Sequence, residues 1–300
     1  MAVRLNMRLS LIFLCFFISF SCQTKKGKQM LKLKNERGYA LEENNGIFTE
    51  LFDSTNTSPN RYTENNTIYC VGTEFIYSFK HIDTNGKKYY YQNEKRSVDG
   101  KNQWSFVSAD SINTSTIQKV KISVKYGLEP MLKYNPNYNQ TLLKYEYPIA
   151  DHSTPEGYSI SGAIENEKNV WIHPPRDSYF KILELNPFPF IKHPYEIGHQ
   201  WNWQLTISDG WADKRWKIWE GKIENQYEYE IVNKIKFKTK IGSLDCYVIE
   251  SKAYSNIGET KLTAYFNKKF GFVKLDYTNI DKSKTILELT AHKQAKKKAK

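Results

Sequence analysis

Residues 118–126 read QKVKISVKY, and residues 201–207 read WNWQLTI. In the first stretch the apolar side chains occupy alternate positions from residue 120 to Tyr126, with lysine or serine between them. In the second stretch two Trp residues, a Leu and an Ile alternate with polar residues. A period of two puts alternate side chains on opposite faces of an extended chain, so both stretches predict half-buried β-strands.

Similar stretches recur at the spacing of about 8 to 12 residues that is typical of all-β folds. The strand candidates are 68–81, 88–93, 104–107, 142–147, 216–219, 227–232, 234–241, 246–251, 260–266, 272–278 and 285–291. Turn dipeptides such as Asn85-Gly86 and Asp209-Gly210 separate them. The sequence therefore predicts an all-β fold, an antiparallel meander that forms a half-barrel, a barrel or a sandwich. A short helix at 46–53 is a weaker candidate.

The segment 171–194 reads WIHPPRDSYFKILELNPFPFIKHP and interrupts this pattern. Its five prolines disfavour a long helix or a central strand, so we expect an extended connector packed by its aromatic rings. The predicted organisation is a lipoprotein signal peptide (1–21), a tether and N-terminal arm (22–60), a first β unit (61–165), a Pro/aromatic connector (166–194), a second β unit (195–292) and a Lys-rich tail (293–300).

The formal net charge of +12 lies at the two ends of the chain. Residues 38–291 contain 31 basic and 31 acidic side chains and are neutral. Nucleic-acid-binding folds usually carry a basic face on the fold itself, so this distribution argues against nucleic acid as a partner. We expect the two basic ends to be flexible and attracted to anionic surfaces.

The N-terminus has the parts of a secretory signal. Arg4 and Arg8 precede a short apolar run at 9–20, which is below the ~20 residues of a membrane span. Ser19-Phe20-Ser21-Cys22 resembles a bacterial lipobox of the loose type found in Bacteroidota, which implies lipid attachment (palmitate among the acyl groups) at Cys22. The alternative is cleavage near Ser21, which would give a soluble secreted protein. The following residues lack an acidic run, which favours a membrane-anchored protein that faces the periplasm.

The second β unit carries a longer resemblance. GSLDCYVIESKAYSN at 242–256 is followed by KLTAYFNKKFGFVKLDYTN at 261–279, and Gly198 and Trp201 precede both. Over residues 195–290 this cadence is similar to bacterial periplasmic β-domain families of unknown function. The resemblance implies a half-barrel with the shape of a lipoprotein carrier and a place in the cell envelope. It implies no catalytic residue.

Two cysteines remain for the folded body if the signal peptide is removed and Cys22 is acylated. Cys70 and Cys246 form an even pair in an oxidising compartment, so a disulfide between them is one interpretation. Each also lies in an apolar, strand-like run, where a buried thiol serves as a small hydrophobic side chain.

Catalytic motifs are represented only by near misses. The sequence has no HExxH, CxxC or phosphate-binding loop, and we expect no metal and no cofactor. GYSIS at 157–161 has Ser in place of the second Gly of a nucleophile elbow. SYFK at 178–181 matches the Ser-x-x-Lys motif formally, but that motif needs a helix to place Ser and Lys on one face, and here it lies in the Pro-rich segment. The crowded Glu residues at 220–230 alternate along strands and predict a solvated sheet face. A non-enzymatic protein is therefore expected, with a hydrolase as the remote alternative.

Six of the seven Trp residues lie within 49 residues. They are Trp171, Trp201, Trp203, Trp211, Trp216 and Trp219. Such rings form either a hydrophobic core or the wall of a ligand site. The predicted function is an envelope lipoprotein that binds an apolar or amphipathic ligand, or an envelope protein, against this aromatic body. The alternative is a carbohydrate- or cell-wall-binding module with Trp stacking platforms.

Overall fold

The structure, a computed structural model, describes residues 33–34, 40–51, 66–94, 103–126, 140–149 and 158–295. The strands are β1 (Leu33–Lys34), β2 (Ala40–Asn44), β3 (Ile47–Glu50), β4 (Glu74–Ile82), β5 (Lys88–Glu94), β6 (Gln103–Ser108), β7 (Thr116–Ile117), β8 (Lys119–Lys125), β9 (Thr141–Glu146), β10 (Tyr158–Glu165), β11 (Asn169–Ile172), β12 (Phe190–Lys192), β13 (Gln200–Ser208), β14 (Lys222–Thr239), β15 (Gly242–Ser255), β16 (Gly258–Asn267), β17 (Gly271–Thr278) and β18 (Lys284–Lys293). Short 3-10 helices are η1 (Ala109–Ser111), η2 (Ser178–Leu185) and η3 (Asp209–Trp211). Within the described residues, no helix has the length and apolar character needed to cross a membrane.

Antiparallel pairing joins almost all of these strands into one long sheet. Its order is β12-β11-β10-β9-β8-β4-β18-β17-β16-β15-β14-β13, and β5, β6 and β7 branch from β4. The prediction of an all-β antiparallel meander is confirmed. Strands of both predicted β units belong to this single sheet, and the predicted segment boundaries stay predictions.

The sheet curls until its two terminal strands approach each other. The ring of Phe190 on β12 lies 5.6 Å from that of Trp201 on β13, and Trp171 on β11 lies 5.9 Å from Trp203. The series of hydrogen-bonded strands ends at β12 on one side and at β13 on the other. We call the junction between these two terminal strands the seam, and aromatic side chains cover it. Of the predicted architectures, the nearly closed barrel-like sheet is the one observed.

The β2–β3 hairpin lies over the same seam. The side-chain oxygen of Asn169 on β11 accepts from the backbone N–H of Phe48 at 2.7 Å. Gly46 approaches β13 so closely that a Cβ there would lie 2.6 Å from the carbonyl oxygen of Asn202. The helix predicted at 46–53 is wrong because Asn45 and Gly46, with φ of 50° and 89°, form a tight hairpin turn.

Burial follows the alternation that the sequence predicts. On β13, Trp201, Trp203 and Ile207 are buried, and the polar residues between them are exposed. On β8, residues 120, 122 and 124 are buried, but Tyr126 is 61% exposed. Tyr126 was expected on the apolar face, and it is outside because β8 ends one residue before it.

Candidate functional site

The predicted connector enters the interior of the sheet instead of running extended along it. We call residues 178–190, which comprise η2 and the turn into β12, the plug. Phe180, Leu183, Phe188 and Phe190 are each at most 1% exposed. Prolines lie on both sides of η2, at 174–175 and at 187 and 189, so they end regular structure without preventing one short 3-10 helix between them.

Hydrogen bonds attach the plug to strands β14 and β16 of the sheet. Asn225 on β14 and Thr260 on β16 both donate to the carbonyl oxygen of Leu185, at 3.2 and 2.8 Å. The Tyr229 hydroxyl donates to the carbonyl oxygen of Phe188 at 3.1 Å. Buried polar groups with such partners fix one position of a segment, so the plug is an integral part of the core.

Three of the six predicted Trp residues face this plug. Trp171 and Trp203 lie 5.7 and 5.2 Å from the ring of Phe188, and Trp203 also stacks on Tyr227 at 4.8 Å. Trp201 packs between Phe190 and Tyr229. All three are buried, with exposed fractions of 4 to 8%. These rings form core, and the space that a closed ligand cavity would need holds the chain's own plug.

The other three Trp residues lie on the loop 209–221, which joins β13 to β14. Trp219 is buried in a small cluster with Leu185, and Trp211 and Trp216 are partly exposed beside it. The indole N–H of Trp216 donates to the carbonyl oxygen of Trp211 at 3.3 Å. The structure thus divides the predicted Trp set between the interior and one end of the sheet.

Arg215 on this loop links it to the plug. Its guanidinium carbon lies 4.5 Å from the ring centre of Tyr179 and 4.8 Å from that of Trp216. Tyr179 in turn stacks on the buried ring of Tyr91 at 5.1 Å. Arg215 also donates twice to Asp213, at 2.9 and 2.6 Å, and these bonds hold the pKa of the Asp213 carboxyl below its usual value. The guanidinium therefore contacts two rings and one carboxylate at the same time.

Apolar side chains beside this stack and on its loop remain open to solvent. The ring of Phe106 lies 4.3 Å from that of Tyr179 and is 42% exposed, and Ile218 is 62% exposed. We call the surface formed by Phe106, Tyr179, Arg215, Trp216 and Ile218 the aromatic end. Sequence analysis found Trp216 but missed the other four, because their proximity depends on contacts between distant parts of the chain.

A polar groove of about 590 Å3 lies on the outer face of β13 to β16. Its lining residues are Gln200, Asn202, Glu228, Tyr229, Glu230, Glu250, Ser251, Lys252, Lys261, Leu262 and Thr263. Glu230 lies directly opposite Glu250 on the next strand, and Gln200 donates to the Glu230 carboxylate at 3.0 Å. Amides, carboxylates and amines arranged in this way are suited to bind ligand hydroxyl groups. The predicted solvated face of Glu residues is present on β14, but its concave shape was not predicted.

No bond between Cys70 and Cys246 is among the contacts of the described residues, and the disulfide between them stays a prediction. The Cys70 thiol donates to the carbonyl oxygen of Asn66 at 2.9 Å, within its own turn. Cys246 is fully buried on β15, and burial raises the pKa of its thiol to about 11. Each sulfur therefore has its own local environment. Cys22 lies outside the described residues.

Ser159 of the GYSIS near miss and His173, which the sequence analysis did not single out, both have partners within the fold. Ser159 contacts the hydroxyl of Tyr147 at 3.3 Å. His173 faces the buried carboxylate of Glu184 at 3.2 Å, and its other ring nitrogen lies 2.8 Å from the carbonyl oxygen of Pro174. Within the part of the chain that the structure describes, no three His, Cys, Asp or Glu side chains are grouped so as to hold a metal ion.

Comparisons with protein-family models and with curated protein sequences give no match. Some solved structures match most of this chain at low sequence identity. A Parabacteroides distasonis protein described as a lipoprotein is 10% identical with a TM-score of 0.42, over 77% of this chain and 100% of its own. An exported protein with a YmcC-like fold from Bacteroides fragilis is 11% identical with a TM-score of 0.34, over 75% of this chain and 96% of its own.

The lipoprotein YmcC from Escherichia coli, whose description calls it hypothetical, is 7% identical with a TM-score of 0.32, over 80% of this chain and 90% of its own.

Proposed function

We propose that this chain is a lipid-anchored protein of the bacterial cell envelope that binds a partner protein through its aromatic end and performs no catalysis itself. The lipobox-like Ser19-Phe20-Ser21-Cys22 supports the anchor, and the basic residues that follow support a tether near anionic head groups. Acylation at Cys22 would hold the protein on the periplasmic side of a membrane.

The Arg215 stack is the observation that carries the binding proposal. The plug occupies the interior, so a ligand is expected on the outside of the sheet. Phe106 and Ile218 are exposed and Trp216 is partly exposed, beside or on the loop whose Arg215 guanidinium contacts Asp213 and Tyr179. Trp, Tyr and Arg are the residues that contribute most to protein–protein binding, and a preformed arrangement loses little entropy when it binds. An amphipathic small ligand on the same surface is the other reading of these rings.

Photocrosslinking in cells tests the aromatic end. A photoreactive amino acid replaces Ile218 or, as the matched control at an exposed site elsewhere on the sheet, Tyr126. We expect position 218 to give one discrete protein adduct that disappears in Phe106→Ser, whereas position 126 gives none. The isolated partner should then bind the Phe106→Ser variant at least about tenfold more weakly. Equal adducts at both positions, or none at 218, would contradict the proposal.

Mass spectrometry tests the anchor separately. The protein extracted from membranes in mild detergent should carry a diacylglyceryl or triacyl mass on a chain that begins at Cys22. A co-purified lipid mass would favour the amphipathic-ligand reading of the aromatic end. An unmodified chain that begins elsewhere would remove the lipoprotein assignment and leave the binding test unaffected.

The polar groove favours a second candidate, a glycan-binding module. Its amides and carboxylates match sugar hydroxyls, and this version of the carbohydrate hypothesis uses hydrogen bonds instead of Trp stacking. Titration calorimetry with cell-wall fragments would detect it. Binding that Glu230→Gln abolishes and Phe106→Ser leaves intact would favour the groove over the aromatic end.

A further inference from the structure

The hairpin of β14 and β15 continues beyond both of its neighbours. The last pair between β13 and β14 is Gln200 with Glu230, and the last pair between β15 and β16 is Tyr247 with Phe266. Residues 233–246 therefore form a two-stranded ribbon past the end of the rolled sheet. Within the sheet, the inward positions of β14 are mostly apolar, as at Tyr229, with Asn225 as a polar exception. Past the end, the apolar side chains of β14 change to the other face, where Phe237 packs on Tyr265 at a ring distance of 4.6 Å.

A β-bulge shifts the pattern where the ribbon begins. Ile231 pairs with Ile249, but Asn233 pairs with Val248, so one extra residue lies between them on β14. Because of this shift, the ribbon face that continues the inward face of β14 carries Lys234, Lys236 and Lys238. All three lysines are exposed. On this face, the sequence thus changes from mainly buried residues to exposed lysines where β14 passes its last pair with β13.

The neighbouring turns add cations and aromatic rings to the same end. The Lys268 amine lies 5.4 Å from the ring centre of Tyr195 and 5.7 Å from that of Tyr247. Lys234 approaches Tyr247 from the ribbon at 5.3 Å. Ile197, in the turn before β13, is 64% exposed. Lysines with tyrosines and one exposed aliphatic side chain are typical of surfaces that meet membrane head groups.

We call the segments 193–199, 232–247 and 266–271 the basic end. They contain six lysines against two acids, Glu196 and Asp245, which gives a formal charge of +4. The chain also leaves the described residues here, because the backbone N–H of Ala295 donates to the hydroxyl oxygen of Thr73 at 3.4 Å, beside the start of β4. The next five residues include four more lysines.

We propose that the basic end binds the anionic phospholipid head groups of a membrane surface. The proposal deepens the lipid-anchor function, because it states which end of the body faces the bilayer. Each lysine near an anionic membrane contributes an attraction of about 1 kcal/mol, or about a fivefold change in binding, and salt screens that attraction. Once the lipid anchor holds the protein at the membrane, the positive charge of the ribbon would therefore turn the basic end of the folded chain toward the bilayer.

Vesicle binding by the unacylated protein tests this surface independently of the anchor. The Cys22→Ser chain is mixed with vesicles of phosphatidylglycerol and phosphatidylcholine, or of phosphatidylcholine alone, and bound protein is measured by co-sedimentation. We expect binding to the anionic vesicles only, with a loss as salt rises. The variant Lys234→Gln/Lys236→Gln/Lys238→Gln should bind them on the order of 100-fold more weakly.

The matched control is Lys214→Gln/Lys217→Gln/Lys222→Gln, which removes the same charge from exposed lysines at the opposite end. It should retain most of the binding, and both variants should unfold at the same denaturant concentration as the parent chain. Equal losses in the two variants, or equal binding to both kinds of vesicle, would overturn the proposal. Tighter binding of the ribbon lysines to duplex DNA than to vesicles would also overturn it, in favour of nucleic acid.

Discussion

The two ends of the rolled sheet are built from similar residues and differ in how charge and backbone are arranged. At the aromatic end, the loop 209–221 carries three acids and three bases, and the turns 83–87 and 279–283 carry one of each. At the basic end, six lysines face two acids. Cations lie over aromatic rings at both ends, and Arg215 at the aromatic end is also held by the Asp213 carboxylate. We infer that one end is preformed for a specific contact and the other for a diffuse charged surface.

The course of the backbone also differs between the aromatic end and the basic end. The loop 209–221 folds back onto the plug, because Trp219 packs on Leu185 and Arg215 lies over Tyr179. The β14–β15 ribbon instead continues past the ends of its neighbouring strands. Changes in the plug should therefore loosen the aromatic end and leave the basic end unaffected.

Phe180→Ala should give the largest effect. Its ring is fully buried and lies 5.1 Å from Phe79, 5.2 Å from Tyr91 and 5.5 Å from Tyr147. We expect the free energy of unfolding to fall by about 3 to 5 kcal/mol, measured by urea denaturation. Hydrogen exchange should accelerate in 209–221 well before it does in the ribbon. Uniform acceleration at both ends would break the proposed separation.

Glu165→Gln should accelerate hydrogen exchange away from the aromatic end, which is the opposite of the result expected for Phe180→Ala. Glu165 is buried at the last position of β10 and accepts from the backbone N–H groups of Thr67, Ile68 and Tyr69, at 2.6, 3.0 and 2.9 Å. The amide supplies one fewer acceptor, so we expect a loss of about 2 to 3 kcal/mol. Exchange should rise in 66–70 and stay unchanged in 209–221. The exposed control Glu228→Gln should leave stability within about 0.5 kcal/mol of the parent.

Arg215→Gln tests the stack at the aromatic end alone. It removes the cation from between Tyr179 and Trp216, and we expect a loss of about 1 kcal/mol together with faster exchange in 209–221. Tryptophan fluorescence should also shift as Trp216 loses its neighbour. Lys214→Gln on the same loop is the control, and an equal effect there would mean that the stack does not hold the loop.

The sequence predicted those parts of the fold that depend on neighbouring residues. Alternation located β8, β13 and most of β14, because the period of a strand is a local property. The dipeptide Asn45-Gly46 is also typical of a hairpin turn, and the helix predicted at 46–53 did not take this signal into account. Tyr126 shows the limit of periodicity, which does not mark where a strand ends.

The plug and the sites could not be predicted in this way. Asn225 meets Leu185 from forty residues away, and Arg215 meets Tyr179 across two strands and a loop. Composition showed that the Trp residues cluster, but which rings face the plug follows from the register of β13 on β14. The ribbon lysines were visible as alternation, but the bulge at 231–233 decides which face they occupy.

The smallest expected effect is the change that salt makes in the pKa values of three histidines. These pKa values compare the local charge at the two ends of the sheet directly. Burial lowers the pKa of His81 at the aromatic end, where Asp281 and Asp83 oppose that shift. Burial also lowers the pKa of His193 and His292 at the basic end, where Lys268 and Lys269 respectively add to it. Added salt screens these charges. We therefore expect salt to raise the pKa of His193 and His292 and to lower that of His81, as measured by NMR.

All three folded-state pKa values lie below the unfolded value of about 6.5. The unfolded chain therefore binds protons more readily, so stability is complete above about pH 6.5 and falls as the pH drops toward the folded values. His81→Phe should reduce this acid sensitivity, because it removes a buried base whose Nδ1 atom has no hydrogen-bond partner among the described residues. If salt moved all three pKa values in the same direction, the two ends would not differ in local field, and the charge asymmetry assigned to the ribbon would be wrong.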